Sequence, residues 1–356
     1  MTEFVQTRVA NGIGFITLDR PKALNSLSLE MVRALTDVLV RWQADPSVEA
    51  VVLGTSSEKA LCAGGDIRFF FEAGKATPMG GSALLEDFFT EEYALNHLIH
   101  FYEKPYVALM DGVVMGGGMG IAQAGPQARV RVVTERTKMA MPEVNIGLFP
   151  DVGGSYFLSR APGALGNYLG LTGLTVGAAD ALYPDLADVF VPGARMAELG
   201  AALEQGGGAR VRETIASFGA DAGASQLEAE RATVDRHFAL DSVQAIMASL
   251  ESDANPFAQK ALGAMRQRSP LMMRVTFELL KRGAALDVAD CLRMERNLVR
   301  RNFEHGEVLE GVRALVIDKD NQPVWNPPSL EQVTDEMVER FFEPAWPTWA
   351  HPLRHL

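Results

Sequence analysis

Two glycine-rich turns contain backbone groups that are suited to stabilising a negatively charged oxygen. They are residues 63–67 (AGGDI) and 115–120 (MGGGMG), and each follows a hydrophobic stretch typical of a strand. A glycine at the end of a strand leaves its backbone N–H free to point into a cavity. Two such donors can hold a carbonyl oxygen that becomes negative in a transition state. Taken alone, either turn is more typical of a tight turn without a ligand.

Two carboxylates follow these turns in the chain. Glu143 lies in an otherwise apolar stretch (MAMPEVNIGLF), so we expect it to be partly buried, with a raised pKa suited to acid–base chemistry. A salt-bridged loop glutamate is the alternative. Asp151 stands where an N-cap belongs, directly before a helix-like run at 152–160, so capping is at least as good an interpretation as catalysis. Gly147 and Pro150 prevent one helix from spanning both residues, which allows both carboxylates to face one pocket.

Several common catalytic and binding motifs are incomplete. The two partial dinucleotide fingerprints have Thr17 and Gln123 where the third glycine belongs. The sequence contains neither a P-loop nor the serine-hydrolase elbow GxSxG. His97 and His100 lie three residues apart without the glutamate of HExxH, which favours a surface or packed pair over a metal site. Cys62 has no histidine near it in sequence, and we interpret it as a small buried residue. We therefore expect no metal site.

Composition excludes further classes of function. Lys and Arg total 33 against 45 Asp and Glu, and the net charge of −12 argues against binding to nucleic acid or an anionic membrane. Two cysteines, Cys62 and Cys291, suit a reducing compartment. No secretory signal is visible, and the apolar stretch 106–126 is too rich in glycine for a spanning helix. The sequence thus predicts a soluble cytoplasmic protein.

The order of predicted elements indicates an α/β layer fold. Runs at 4–9 and 13–18 read as strands joined by a tight turn at Asn11-Gly12, and Ser28 is expected to cap the helix that follows. A strand at 49–54, a helix near 83–102 and a strand at 106–110 come next. Beyond residue 205 the sequence becomes almost wholly helical, with helices expected from Pro270 to Gly283 and near 329–342. We therefore predict an α/β core at 1–205 and a helical region at 206–356.

Four stretches together resemble the enoyl-CoA hydratase/isomerase (crotonase) superfamily. They are ITLDRPKALNSL, VVLGTSSEKALCAGGDI, KPYVALMDGVVMGGGMG and MPEVNIGLFPDVGGSYFLSR. The resemblance implies a spiral of ββα units with a helical C-terminal region. It also implies that the backbone N–H groups of Gly65 and Gly117 form an oxyanion hole for an acyl-CoA thioester. The residues that it implies as CoA contacts are Lys22, Ala23, Leu24, Ala63, Gly64, Asp66 and Ile67.

One departure distinguishes this chain from the family's hydratases. They carry a catalytic glutamate just after the glycine run, where this chain has Gly120, and hydration needs that second carboxylate. The stretches GGDIR, EEYALN, GLFPDVGG and EGVRALVIDKDNQPVW instead resemble the 3-hydroxyisobutyryl-CoA hydrolase branch. That branch pairs a glutamate matching Glu143 with an aspartate matching Asp151, and Glu92 matches a substrate-contacting glutamate.

The resemblance implies hydrolysis of 3-hydroxyisobutyryl-CoA to 3-hydroxyisobutyrate and CoA, as in valine catabolism. Whether Glu143 activates water or attacks the thioester to give an anhydride stays open, and so does the exact acyl group. No metal or redox cofactor is expected, because CoA is part of the substrate. The alternatives are an enoyl-CoA hydratase or isomerase and a non-catalytic acyl-CoA-binding protein. Trimers are common in the superfamily, so a homo-oligomer is a further expectation.

Overall fold

The chain forms two compact units, each assembled from three separate segments. A computed structural model describes residues 2–78 and 81–356. The first unit contains residues up to Gly65 together with Ala94–Ala140 and Thr175–Glu228, and the second contains Asp66–Tyr93, Met141–Leu174 and Ala229–Leu356. The predicted boundary at residues 205 and 206 separates contiguous stretches, whereas these units are discontinuous in sequence. The reason is that helices from 66–93 and 141–174 pack with the C-terminal helices.

Both sheets belong to the first unit. The larger has the order β1-β2-β3-β5-β7-β9 and the smaller β4-β6-β8. The strands are β1 (Val5–Ala10), β2 (Ile13–Leu18), β3 (Ala50–Thr55), β4 (Ala60–Cys62), β5 (Tyr106–Met110), β6 (Val113–Met115), β7 (Arg129–Val133), β8 (Lys138–Ala140) and β9 (Val189–Phe190). Only the β1–β2 pair is antiparallel among these strands. Successive strands alternate between the two sheets from β3 to β8, which confirms the predicted spiral of ββα units.

The predicted hairpin forms at the expected residues. Asn11 and Gly12 have φ values of 47° and 76°, the left-handed pair that a two-residue turn requires. Residues Val5 and Leu18 are paired at its open end. The register places β2 parallel to β3, starting from Ile13 opposite Ala50.

Helices occur in both units and make up most of the second. In chain order they are α1 (Leu29–Ala44), α2 (Ile67–Ala76), α3 (Ala83–His100), α4 (Gly117–Ala122), α5 (Gly154–Ser159), α6 (Leu165–Thr172), α7 (Ala178–Leu182), α8 (Met196–Gly206), α9 (Val211–Phe218), α10 (Gln226–Ala229), α11 (Arg231–Phe238), α12 (Val243–Glu251), α13 (Pro256–Met265), α14 (Pro270–Gly283), α15 (Val288–His305), α16 (Glu307–Val312) and α17 (Asp335–Phe342). Short 3-10 helices at Pro21–Ala23 and Glu143–Ile146 contain predicted site residues.

Side-chain caps fix several of these helices where the sequence predicts them. The Ser28 hydroxyl accepts a hydrogen bond from the Met31 amide at 3.3 Å, so α1 begins as expected. Ser269 caps α14 in the same way. The final predicted helix is shorter than expected, because Thr334 caps a new helix and α17 therefore begins at Asp335.

Apolar stretches of the chain are used inside the fold. Residues 106–126 form β5, β6 and α4, in agreement with the prediction that they are not a spanning helix. Across residues 2–78 and 81–356, no helix has both the length and the apolar character needed to cross a bilayer. In the second unit, the rings of Phe70, Phe88, Phe89 and Phe303 pack together, with the Phe70 and Phe88 centroids 4.9 Å apart.

Candidate active site

The first unit brings the two glycine turns into direct contact. Gly64 has φ 103°, and a Cβ at this position would lie 3.2 Å from the Met115 carbonyl oxygen and 3.5 Å from the Gly117 nitrogen. Glycine is required there both by the backbone conformation and by the close approach of the second turn. Gly117 is the first residue of α4, so its amide has no acceptor within that helix.

The backbone of the first turn is fixed on both sides of Gly65. The Leu27 amide donates to the Gly64 carbonyl at 2.8 Å, and the Ala63 amide donates to the Leu24 carbonyl at 3.0 Å. Neither bond uses the amide of Gly65, which lies in a partly exposed residue. The predicted pair of donors thus comes from adjacent turns of one unit. Their action as an oxyanion hole stays a prediction.

Asn25 joins two of the predicted CoA-contacting segments, although no sequence motif singled it out as a functional residue. Its side chain is fully buried. The oxygen accepts from the Arg20 amide at 2.7 Å, while the nitrogen donates to Thr55 Oγ1 at 2.7 Å and the Leu61 carbonyl at 3.0 Å. This links the Lys22–Ala23–Leu24 turn to the strand before Ala63. The available signal was the residue type, because Leu24 and Asn25 both have positive φ and asparagine tolerates that region.

The second unit contains the predicted carboxylates on three different segments. Glu92 lies on α3, Glu143 begins the 3-10 helix Glu143–Ile146, and Asp151 lies in the turn before α5. All three are buried, with exposures of 2%, 6% and 5% respectively. Asp66 and Ile67 also belong to this unit. The Asp66 side chain accepts from the Phe69 amide and caps α2, which gives this predicted CoA contact a structural role.

The carboxylates lie close enough to repel one another. Burial raises the pKa of Glu143 well above its usual value, and the charges of Asp151, Glu92 and Glu295 raise it further. Burial and the charge of Asp151 likewise raise the pKa of Glu92. Burial raises the pKa of Asp151 to about 6. The expected burial and raised pKa of Glu143 are therefore confirmed, and the structure brings all three predicted carboxylates into one cluster.

Two oxygens of this cluster are available for a ligand. Glu92 Oε1 and Glu143 Oε2 are buried and have no hydrogen-bond partner in the structure. Unpaired buried acceptors are costly, so such atoms mark a place where a substrate hydroxyl or a water can bind. Across the described part of the chain, no group of three or more His, Cys, Asp or Glu side chains is arranged to hold a metal ion.

The prediction that Asp151 caps the helix after it is wrong, because α5 begins at Gly154 and its N-cap is Gly153. The Asp151 carboxylate accepts a 2.6 Å hydrogen bond from the hydroxyl of Tyr93. The amides of Gly153, the N-cap, and of Ser155, in the first turn of α5, donate to Glu295. Asp151 contributes only its backbone carbonyl, which accepts from the Gly154 amide. Neither Tyr93 nor Glu295 could be singled out from sequence, because each acts through a contact far along the chain.

Comparisons with known proteins agree with this geometry. The chain belongs to the enoyl-CoA hydratase/isomerase family, whose model matches residues 13–342. It is 39% identical to the mitochondrial 3-hydroxyisobutyryl-CoA hydrolase of Gallus gallus over 94% of this chain and 87% of that protein. Identity to the mitochondrial 3-hydroxyisobutyryl-CoA hydrolase of Xenopus tropicalis is 41%, over 92% and 86%. Among solved structures, a carnitinyl-CoA dehydratase from Mycobacterium thermoresistibile is similar with a TM-score of 0.91 and 40% identity, over 97% and 98% of the two chains.

These matches confirm two expectations. The crotonase-like α/β spiral with a helical C-terminal region is the fold of this chain. The resemblance to the 3-hydroxyisobutyryl-CoA hydrolase branch is confirmed by relatives that cover most of the chain. The roles of individual residues stay predictions.

Replacing Asn25 by alanine is expected to lower the free energy of unfolding by about 3 kcal/mol, because it removes the hydrogen bonds to the Arg20 amide, to Thr55 and to the buried Leu61 carbonyl. Urea unfolding of the full chain measures this change. Asn321→Ala is the control, since its side chain is exposed and bonds only locally. Equal losses in both variants would contradict the role assigned to Asn25.

Replacing Tyr93 by phenylalanine is expected to raise the pKa of Asp151 above about 6, because the Tyr93 hydrogen bond lowers it. The titration is followed by 13C NMR of carboxyl-labelled aspartate, with Asp151→Asn used for assignment. Tyr102→Phe is the control, because it removes a buried hydroxyl that bonds to the Leu39 carbonyl. An unchanged or lowered Asp151 midpoint in Tyr93→Phe would show that the bond does not stabilise the ionised carboxylate.

Proposed function

We propose that this chain is an acyl-CoA thioester hydrolase that converts 3-hydroxyisobutyryl-CoA and water to 3-hydroxyisobutyrate and CoA. The observation that carries the proposal is the buried, unpartnered Oε2 of Glu143 in the same cluster as Asp151. Two further features support it. Relatives named as this hydrolase are 39–41% identical over most of the chain, and the position of the hydratase glutamate is occupied by Gly120.

The proposed reaction begins with polarisation of the thioester. The backbone N–H groups of Gly65 and Gly117 donate to the carbonyl oxygen, and one such donor typically contributes about 3–4 kcal/mol to transition-state stabilisation. The side chains of Lys22 and Leu24 with the turn at Ala63 contact the CoA portion. Glu92 contacts the hydroxyl end of the acyl group through its unpartnered oxygen.

Glu143 acts in its ionised form by one of two routes. Either it takes a proton from a water molecule that attacks the carbonyl carbon, or its carboxylate attacks that carbon and the resulting anhydride is hydrolysed by water. In both routes the C–S bond breaks, and the departing thiolate receives a proton. Asp151 orients the substrate hydroxyl or assists that proton transfer. Because burial raises the pKa of Glu143, thiol release should increase as the pH rises and Glu143 loses its proton.

Hydration or isomerisation of an enoyl-CoA is the second candidate. The name of the solved structure from Mycobacterium thermoresistibile, a dehydratase, favours it. Against it, the hydratases that this chain resembles use a glutamate at the position of Gly120, which provides no side chain within α4. Non-catalytic binding of an acyl-CoA is a third outcome, and it is disfavoured by the presence of both Glu143 and Asp151.

Hydrolysis of this substrate would place the protein in valine catabolism, with CoA bound only as part of the substrate and no metal or redox cofactor. We propose a cytoplasmic location from the sequence, whereas the two vertebrate relatives are named as mitochondrial. We also propose a homo-oligomer that binds neither nucleic acid nor membranes.

Replacing Glu143 by glutamine tests the proposal. We expect kcat for thiol release from 3-hydroxyisobutyryl-CoA to fall about a thousandfold, because the amide cannot accept a proton or attack the carbonyl. KM should change little, since the side chain keeps its size. Release of free thiol is followed with a chromogenic thiol reagent. Glu307→Gln is the matched control, because Glu307 is equally buried in the same unit and accepts a hydrogen bond from Ser269 Oγ at 2.5 Å.

Three outcomes would contradict parts of the proposal. If wild type releases no thiol, the assigned activity is wrong. If Glu143→Gln retains the wild-type rate, the activity does not depend on the proposed group. If the Glu307→Gln control loses as much activity as Glu143→Gln, the loss reflects damage to a buried carboxylate in general.

A further inference from the structure

The first turn of α5 is capped by a side chain from a distant helix. The residue before this helix is Gly153, which has no side chain to cap it. Glu295 on α15, 142 residues further along the chain, accepts from the Gly153 amide at 2.8 Å through Oε2. Its Oε1 accepts from the Ser155 amide at 3.0 Å and from Ser155 Oγ at 2.5 Å. Glu295 is fully buried, so these three donors replace water around its carboxylate.

The turn that Glu295 holds is strained. Val152 has φ 52°, a left-handed conformation that a β-branched residue rarely adopts, and Gly153 follows with φ 86°. Such strain persists only where surrounding contacts over-determine the backbone, and it is concentrated at functional sites. The bond from the Gly153 amide to Glu295 is made at the residue directly after Val152. This bond therefore fixes the backbone directly after the strained residue.

Asp151 immediately precedes this strained residue. Its backbone carbonyl accepts from the Gly154 amide at 2.6 Å, so its main chain is part of the same turn. Asp151 lies two residues before Gly153, the N-cap of α5, so its side chain is not at the position from which a capping residue acts. The amides of Gly153 and Ser155 bond to Glu295, and the Asp151 carboxylate bonds to Tyr93.

We propose that Glu295 is a positioning residue that caps α5, whose own N-cap is a glycine, and thereby holds the Asp151 carboxylate in the reactive cluster. This inference rests on the proposed function, since Asp151 matters only if the cluster acts on substrate. Burial raises the pKa of Glu295 to about 8, and its hydrogen bonds with Ser155 and Gly153 oppose that rise. Glu295 itself is not proposed to contact a reacting atom.

Glu307 provides a comparison within the same unit. It is also a buried glutamate that accepts from a serine hydroxyl, Ser269, and from a backbone amide, that of Asn326 at 3.3 Å. Neither of these two hydrogen bonds involves a residue of the carboxylate cluster. A purely structural role would make Glu295 and Glu307 equivalent, whereas positioning of Asp151 makes only Glu295 important for turnover.

The test uses the full chain with substitutions at three positions. Glu295→Gln keeps the size of the side chain but has only one acceptor oxygen for two backbone amides, and Glu295→Ala has none. Ser155→Ala removes the hydroxyl and keeps both backbone donors. Glu307→Gln is the matched control. Measurements are kcat and KM for thiol release from 3-hydroxyisobutyryl-CoA, with hydrogen exchange of the Gly153 and Ser155 amides.

We expect Glu295→Gln to lower kcat about tenfold or more, because small displacements of a reacting group are costly, while KM changes by less than about threefold. Glu295→Ala should be slower still. Ser155→Ala and Glu307→Gln should keep kcat within about threefold of wild type, since neither releases the two backbone amides. Exchange at Gly153 and Ser155 should accelerate only in the Glu295 variants.

The outcomes separate this inference from the proposed function. If wild type releases thiol and Glu295→Gln retains its kcat, positioning by Glu295 is wrong. If Ser155→Ala loses as much kcat as Glu295→Gln, the hydroxyl contact rather than the cap is responsible, and the inference is also wrong. If wild type releases no thiol, the proposed function fails. Amide exchange then decides the cap, which is supported by faster exchange in Glu295→Gln alone and overturned by unchanged exchange.

Discussion

The second unit is organised around the burial of several carboxyl groups in one place. Glu92, Glu143, Asp151 and Glu295 repel one another in a low-dielectric interior, and burial raises the pKa of each. Folded-state pKa values of about 6 for Asp151 and about 8 for Glu295 lie above those of exposed carboxyls. Their contribution to stability is therefore present at low pH and is lost as the pH rises through about 6 to 8. Such an arrangement is costly to the fold and useful for proton transfer.

One helix, α15, contacts the three segments that carry Glu92, Glu143 and Asp151. Arg296 donates to Thr90 Oγ1 at 3.0 Å and to Glu86, which fixes the α3 turn before Glu92. Asn302 donates to the carbonyl of Gly147 at 2.8 Å, directly after the 3-10 helix of Glu143. Glu295 fixes the turn that follows Asp151. These polar bonds fix the segments that carry the three carboxylates through contacts that do not use those carboxylates themselves.

Local sequence signals predicted the elements that depend on local physics. Asn11-Gly12 predicted the hairpin and Ser28 the start of α1, because turn and cap preferences act within a few residues. The apolar stretch around Glu143 predicted its burial. Asp151 was a wrong candidate for the cap because α5 begins later than expected, at Gly154, and the carboxylate that accepts from the Ser155 amide belongs to Glu295, 140 residues beyond it. The discontinuous units have the same cause, because packing partners far apart in sequence leave no local pattern.

The carboxylate cluster of this chain is proposed to support thioester hydrolysis, on a fold that a solved carnitinyl-CoA dehydratase shares. The most direct test of this proposal is to measure both reactions with the same wild-type preparation. Thiol release is followed with 3-hydroxyisobutyryl-CoA, and hydration is followed by the loss of enoyl absorbance with crotonyl-CoA. We expect turnover with release of CoA and no measurable hydration, because Gly120 stands where the family's hydratases carry a glutamate. Hydration of crotonyl-CoA without thiol release from 3-hydroxyisobutyryl-CoA would contradict the proposal.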